Sequence, residues 1–98
     1  KPKIYIAGAD IDEIRSLNTP DQFAKAVSGG QEIFNLLEDL PMPTMAVIHG
    51  ACVGGGCEFV MACDYRIASD DASTKIGLPE IKLGIIPGFG GCVRMPRI

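Results

Sequence analysis

The sequence predicts an α/β fold, and three observations carry that reading. Short runs of β-formers alternate with amphipathic stretches along the whole chain, the pattern of strands separated by helices. The runs ending at Ile6 and Ile48 lead into small-residue turns, Ala7-Gly8-Ala9 and Gly50 to Gly56, and a third turn, Pro87 to Gly91, follows Ile85-Ile86. Each turn is followed by a helix signal, so ligands in such a fold are expected at the turns that follow strands.

The 98 residues have room for one small domain or a piece of a larger one. Hydrophobic content of 47% with 21% charged residues is ordinary for a packed core and argues against disorder. Net charge is −3 and the basic residues are scattered, with only Arg94 and Arg97 close together, which argues against a nucleic-acid partner. No apolar run approaches the ~18–20 residues of a membrane span. Lys1-Pro2-Lys3 precedes only a short apolar patch, so no signal peptide is expected within the chain. Cys52, Cys57, Cys63 and Cys92 lack C-x-x-C spacing and a paired histidine, so no metal site is expected. Free cysteines of this kind fit a reducing, cytoplasmic compartment.

Lys3 to Ile6 reads as the end of a strand. Behind the Ala7-Gly8-Ala9 turn, Asp10 with Glu13 three residues later makes a capping-box signature for a short helix carrying Ile11, Ile14 and Leu17. Thr19-Pro20-Asp21-Gln22 starts a second helix with Pro20 at its first position. Its apolar stripe (Phe23, Val27, Phe34, Leu37) runs on to Leu40. Gly29-Gly30 is expected to bend or break it, while Glu32, Glu38 and Asp39 read as a solvated face. Pro41 and Pro43 end it.

Thr44 to His49 has strand length and suggests a strand covered on both faces. His49 at its end reads as structural. Gly54 to Gly56 then makes a turn into a helix from Glu58 to Cys63. Tyr65 to Ala68 is a strand, Ser69 to Thr74 a polar loop and Lys75 to Gly77 a short extended piece. Cys92 to Met95 begins a last helix.

The chemistry concentrates at the turns. A helix opening at Gly54 to Gly56 would aim unpaired N–H groups and its positive dipole end into the turn, with Glu58 beside them. On this stretch alone a plain strand-to-helix turn with no ligand accounts for the glycines equally well. Glu58 and Glu80 both lie beside glycine turns in apolar surroundings, which raise a carboxylate pKa and suit it to acid–base work. The turns at Ala9 and Gly55 could each donate one backbone N–H to a developing oxyanion. Two salt-bridged surface glutamates remain the simpler alternative. Gly50 to Gly56 lacks the order of a dinucleotide or P-loop motif, and no G-x-S-x-G elbow is present.

These same residues resemble the enoyl-CoA hydratase/isomerase (crotonase) family, most closely the hydratase part of bacterial fatty-acid oxidation multifunctional enzymes. Ala7 to Ile11 resembles the first oxyanion segment, His49 to Glu58 the second, continued by Asp64 to Ala68, and Ile76 to Gly91 the signature stretch. The resemblance spans nearly the whole chain. It implies a crotonase-like repeated ββα spiral, with residues 1–98 as the central portion of one domain, the first strands preceding Lys1 and helices following Ile98. It implies an acyl-CoA substrate and hydration of a 2-enoyl-CoA, with coenzyme A as part of the substrate and no separate cofactor. Ala9 and Gly55 would supply the oxyanion hole, and Glu58 and Glu80 the catalytic carboxylates. Ala7, Gly8, Asp10, Ile11, Gly54, Pro79, Gly88 and Phe89 would contact the substrate or its coenzyme A. Asp12 stands where many relatives carry a basic residue near the phosphates. A homotrimer or dimer of trimers follows for the full-length protein. Double-bond isomerisation or another crotonase-type reaction of an acyl-CoA, and a non-catalytic binding or scaffold member of the family, are the alternatives.

Overall fold

The computed structural model describes residues 3–98; Lys1 and Pro2, the start of the basic N-terminal tripeptide, lie outside it. In chain order the elements are β1 (Ile4–Ile6), α1 (Ile11–Ser16), α2 (Pro20–Glu38), β2 (Met45–Ile48), β3 (Ala51–Val53), α3 (Gly55–Met61), β4 (Tyr65–Ala68), β5 (Lys75–Gly77) and α4 (Gly91–Arg94), with 3-10 turns at Glu80–Leu83 and Met95–Arg97. The strands form two parallel sheets, β1-β3-β5 and β2-β4. Parallel pairs put the ends of β1, β3 and β5 on one edge. The turns at Gly8, Gly54 and Pro79 therefore meet there.

The strand expected between Thr44 and His49 is β2, but the stretch from Gly50 read as a turn holds a further strand, β3 (Ala51–Val53), in the other sheet. Gly50 makes the corner at φ 86, after which Ala51 donates its N–H to Lys3 O at 3.0 Å and joins β1. A Cβ at Gly50 would lie 2.4 Å from the Lys3 carbonyl carbon, so only glycine fits. A hydroxyl chain fixes the corner. His49 Nδ1 lies 2.9 Å from Ser69 Oγ, Ser69 Oγ lies 2.7 Å from Thr74 Oγ1, and Gly50 N–H donates to Thr74 Oγ1 at 3.1 Å. His49 thus has a structural place at this bend.

The strand expected to be covered on both faces is covered on one. Ala46 and Ile48 are 2% exposed, whereas Met45 and Val47 are 56% and 64% exposed. The period-2 pleat sends Ala46 and Ile48 into a core with Cys52, Val60 and Cys63, packed against Tyr5, Leu37 and Phe59. Among the described residues no layer lies over the other face. Cys52, Cys57 and Cys63 are free and buried, and burial pushes the Cys52 thiol up to about 11, so it behaves as a small apolar group.

Helix α2 runs unbroken through Gly29-Gly30, starting at a Thr19–Gln22 capping box and ending at Glu38 rather than Leu40. Gly30 faces Phe89: a Cβ there would lie 2.5 Å from the ring. Helix α3 starts earlier than expected, at Gly55, and stops at Met61, because Gly54 (φ 59, ψ −131) breaks the strand and its carbonyl accepts the first helical bond from Glu58 N–H. Around α1, Asp10 caps by accepting the Asp12 N–H at 2.8 Å; the expected return bond from Glu13 is not formed.

Two glycine substitutions should separate these roles. Gly50→Ala combines a left-handed backbone with overlap on Lys3 and should lower stability by more than about 2 kcal/mol. Gly29→Ala, which meets nothing within 4 Å, should raise it by about 0.5–1 kcal/mol through helix propensity. Urea unfolding midpoints of the two variants check both signs.

Candidate active site

Glu58 sits in the first turn of α3 with its side chain turned inward and 2% exposed. Its Oε1 accepts two backbone N–H bonds, from Phe89 at 2.9 Å and Gly91 at 2.8 Å. Burial pushes the Glu58 carboxyl above the ordinary glutamate value; the two N–H bonds and the Arg94 charge pull it down, and Glu80 pushes it up. Gly91 is needed at the contact, since a Cβ there would lie 2.9 Å from the same oxygen.

Glu80 opens the 3-10 turn that follows β5 and is 8% exposed. Its Oε2 is buried and has no hydrogen-bond partner among the described residues. An unpaired buried oxygen of this kind costs about 1–3 kcal/mol, more if charged, so it marks a position built for a ligand or a water. A Cβ on Gly54 would approach Glu80 Oε1 to 3.2 Å. The glycine turn and the carboxylate therefore share one space.

The two expected N–H donors border that space. A Cβ built on Gly55 would lie 3.8 Å from the Ala9 nitrogen, and one built on Gly8 would lie 3.4 Å from the Gly55 nitrogen. As the first helical residue, Gly55 has an N–H with no intrahelical acceptor. Both nitrogens thus lie beside a space that small residues keep open.

A cavity of about 770 Å³ joins these groups. It is lined by Ala7, Gly8, Ala9, Ile11, Gly54, Gly55, Glu58, Pro79, Glu80, Gly88 and Phe89, all expected at the site. Asp10 is not among the lining residues, because its carboxylate is turned back onto its own helix as the cap. Asp12 pairs loosely with Arg15 at 3.7 Å in solvent. The size suits a small-molecule site, which typically takes 300–1,000 Å³.

Sequence reasoning did not anticipate the wall that α2 supplies. Phe23, Ala26 and Val27 line the cavity, and no residue of α2 is fully buried. The apolar stripe was visible, but nothing in its spacing tells a pocket wall from core. Nor was the clamp on the Phe89 loop foreseen. Gln31 Nε2 donates to Gly88 O at 2.7 Å, and Arg94 donates to Phe89 O at 3.3 Å, Asn35 Oδ1 at 2.8 Å and Glu38 Oε2 at 2.7 Å. Glu38 is on the solvated face as expected and is also the ion-pair partner of Arg94. Phe34 meets the Phe89 ring edge-on, with centroids 5.7 Å apart.

The profile of the enoyl-CoA hydratase/isomerase family matches residues 1–98. The chain belongs to that family. As a family member, it is 50% identical over its whole length to a fatty acid oxidation complex subunit alpha from Aliivibrio fischeri, and 47% identical to the one from Vibrio vulnificus. It spans 14% of the length of each. Among solved structures, an enoyl-CoA hydratase from Geobacillus kaustophilus matches 98% of this chain and 36% of its own at TM-score 0.91 and 38% identity. One from Bacillus anthracis matches 99% of this chain and 36% of its own at TM-score 0.87 and 43% identity. The fold of this chain is therefore crotonase-like. No helix among its described residues is long and apolar enough to cross a membrane.

An NMR titration of the Glu58 carboxyl carbon should give a midpoint above that of an ordinary glutamate. Removing the Arg94 cation by Arg94→Ala should raise it further, since that charge favours the ionised form. A midpoint at or below the ordinary value would contradict the balance described.

Proposed function

We propose that this chain carries the catalytic core of a 2-enoyl-CoA hydratase of fatty-acid oxidation. The observation that carries the reading is the unpaired, buried Glu80 Oε2 beside the anchored Glu58 in one cavity. Two carboxylates with one free inward oxygen suit a water held between them. Family membership and the names of the relatives support the same reaction.

In this reading the thioester oxygen accepts the N–H groups of Ala9 and Gly55. Glu58 removes a proton from the water as its oxygen bonds to C3. The C2=C3 electron pair moves toward the thioester oxygen, giving an enolate-like species that the two N–H groups stabilise, at roughly 3–4 kcal/mol per donor. Glu80 then delivers a proton to C2, leaving a 3-hydroxyacyl thioester. Gly8 and Gly54 keep the approach to those donors clear. The Ala7 carbonyl and the Ile11 side meet the coenzyme A end, while Pro79, Gly88 and Phe89 wall the acyl end. Coenzyme A enters as part of the substrate and no further cofactor is required. Residues 1–98 act as the central portion of a larger crotonase-like domain, which assembles as a trimer or dimer of trimers in the cytoplasm. The isolated 98-residue piece is inactive.

Isomerisation of a 3-enoyl to a 2-enoyl thioester is the alternative, and it needs only one carboxylate to move a proton between carbons. The two are separated by substitution in the full-length protein. Glu58→Gln and Glu80→Gln should each lower the hydration of crotonyl-CoA by about 10²–10⁴-fold. If Glu58→Gln leaves hydration intact, Glu58 is not the base and the role assigned to it is wrong. The pH profile adds a sign. Glu58 must be ionised to act as base, so activity should fall on acidification with a midpoint above the ordinary glutamate value.

A further inference from the structure

A second, smaller and more open cavity of about 290 Å³ shares part of its wall with the first. It is lined by Ile6, Phe34, Phe59 and Phe89, with the small residues Gly8, Ala9, Gly55 and Gly56 making up the rest of its wall. Four of these residues, Gly8, Ala9, Gly55 and Phe89, line both cavities. Three of the four make up the gap that the Ala9 and Gly55 N–H groups border. Phe89 is the only side chain of any size in the shared wall.

The Phe89 ring is held where it stands. Phe34 meets it edge-on at 5.7 Å and 84°. A Cβ on Gly55 would lie 3.5 Å from Cδ2, and one on Gly30 would collide with Cδ1 at 2.5 Å. The ring is thus seated between α2 and the start of α3 by two glycines. Its backbone is fixed independently, through the N–H bond to Glu58 and the carbonyl bond from Arg94. Side chain and main chain of this residue therefore have separable jobs.

We propose that the Phe89 ring is the partition that sets how long an acyl chain the site accepts, and that the smaller cavity is the extension it closes off. This rests on the hydratase reading, because it takes the thioester oxygen to sit at Ala9 and Gly55. A chain leaving that point along the main cavity passes the carboxylates. A chain able to enter the smaller cavity would meet no charged side chain, only the side chains of Ile6, Phe34, Phe59 and Phe89 beside small glycine and alanine residues. Those side chains suit methylene groups. Each methylene buried is worth roughly fourfold in affinity.

The test compares wild type, Phe89→Leu and Phe89→Ala in the full-length protein. Binding of saturated acyl-CoA esters, from butanoyl to hexadecanoyl, is measured by calorimetry alongside turnover of the matching 2-enoyl esters. Opening the partition should raise the long-to-short affinity ratio by about tenfold or more for Phe89→Ala, as two or more methylenes gain a place, with Phe89→Leu between. Phe89→Leu keeps an apolar side chain against Phe34 and so guards against simple misfolding. An unchanged ratio in both variants overturns the partition. A shifted binding ratio without turnover in any form of the protein supports the partition and removes the hydratase reading. No binding of any acyl ester removes both.

Discussion

Everything at this site hangs on one buried carboxylate oxygen, Glu58 Oε1, accepting the N–H groups of Phe89 and Gly91. Those two bonds tie the first turn of α3 to a loop that is 31 and 33 residues away in sequence. They also leave the carboxylate buried without a cation in direct contact, a state that is costly unless hydrogen bonds replace the lost water. The loop in turn is held to α2 by Gln31 and Arg94. Breaking the Arg94 clamp would therefore act on Glu58 through the backbone, at a distance from the reacting atoms.

The balance has a consequence for stability. Glu58 holds its proton more readily in the folded chain than an ordinary glutamate does. The folded state then binds more protons than the unfolded one as pH rises from the ordinary carboxylate range through the raised value, so this group's contribution falls across that window. The partner Glu80 adds an unpaired buried oxygen. A fold built for stability alone would avoid both. Such departures from local optimisation belong at functional sites, where the strain serves the ligand.

Much of this was legible in the sequence because turns announce themselves. Glycine clusters at Gly8, at Gly54 to Gly56 and at Gly88 to Gly91, each beside a strand or a carboxylate, point at the residues that the cavity gathers. The corner at Gly50 was less visible. One glycine between two short apolar runs reads as the start of a turn, and only the pairing of Ala51 with Lys3 shows that the chain changes sheet there. Gly29-Gly30 misled for the opposite reason. Helix propensity counts a glycine pair as a break, but here helix α2 continues and the missing Cβ makes room for a ring contributed 59 residues later by Phe89. Glu38 shows the same limit. Its partner, Arg94, comes from distant chain that spacing does not encode, whereas the capping role of Asp10 was readable from its place before the helix.

The central claim is that two backbone N–H groups, on Ala9 and Gly55, grip one thioester oxygen at the mouth of the carboxylate pair. Isotope-edited infrared spectroscopy of a bound 2-enoyl-CoA, labelled with carbon-13 at the thioester carbonyl, reads that grip directly. Two strong donors withdraw electron density into the oxygen and weaken the carbonyl bond. The stretch should therefore fall below its frequency in water. A carbonyl stretch equal to or above the value in water would contradict the account.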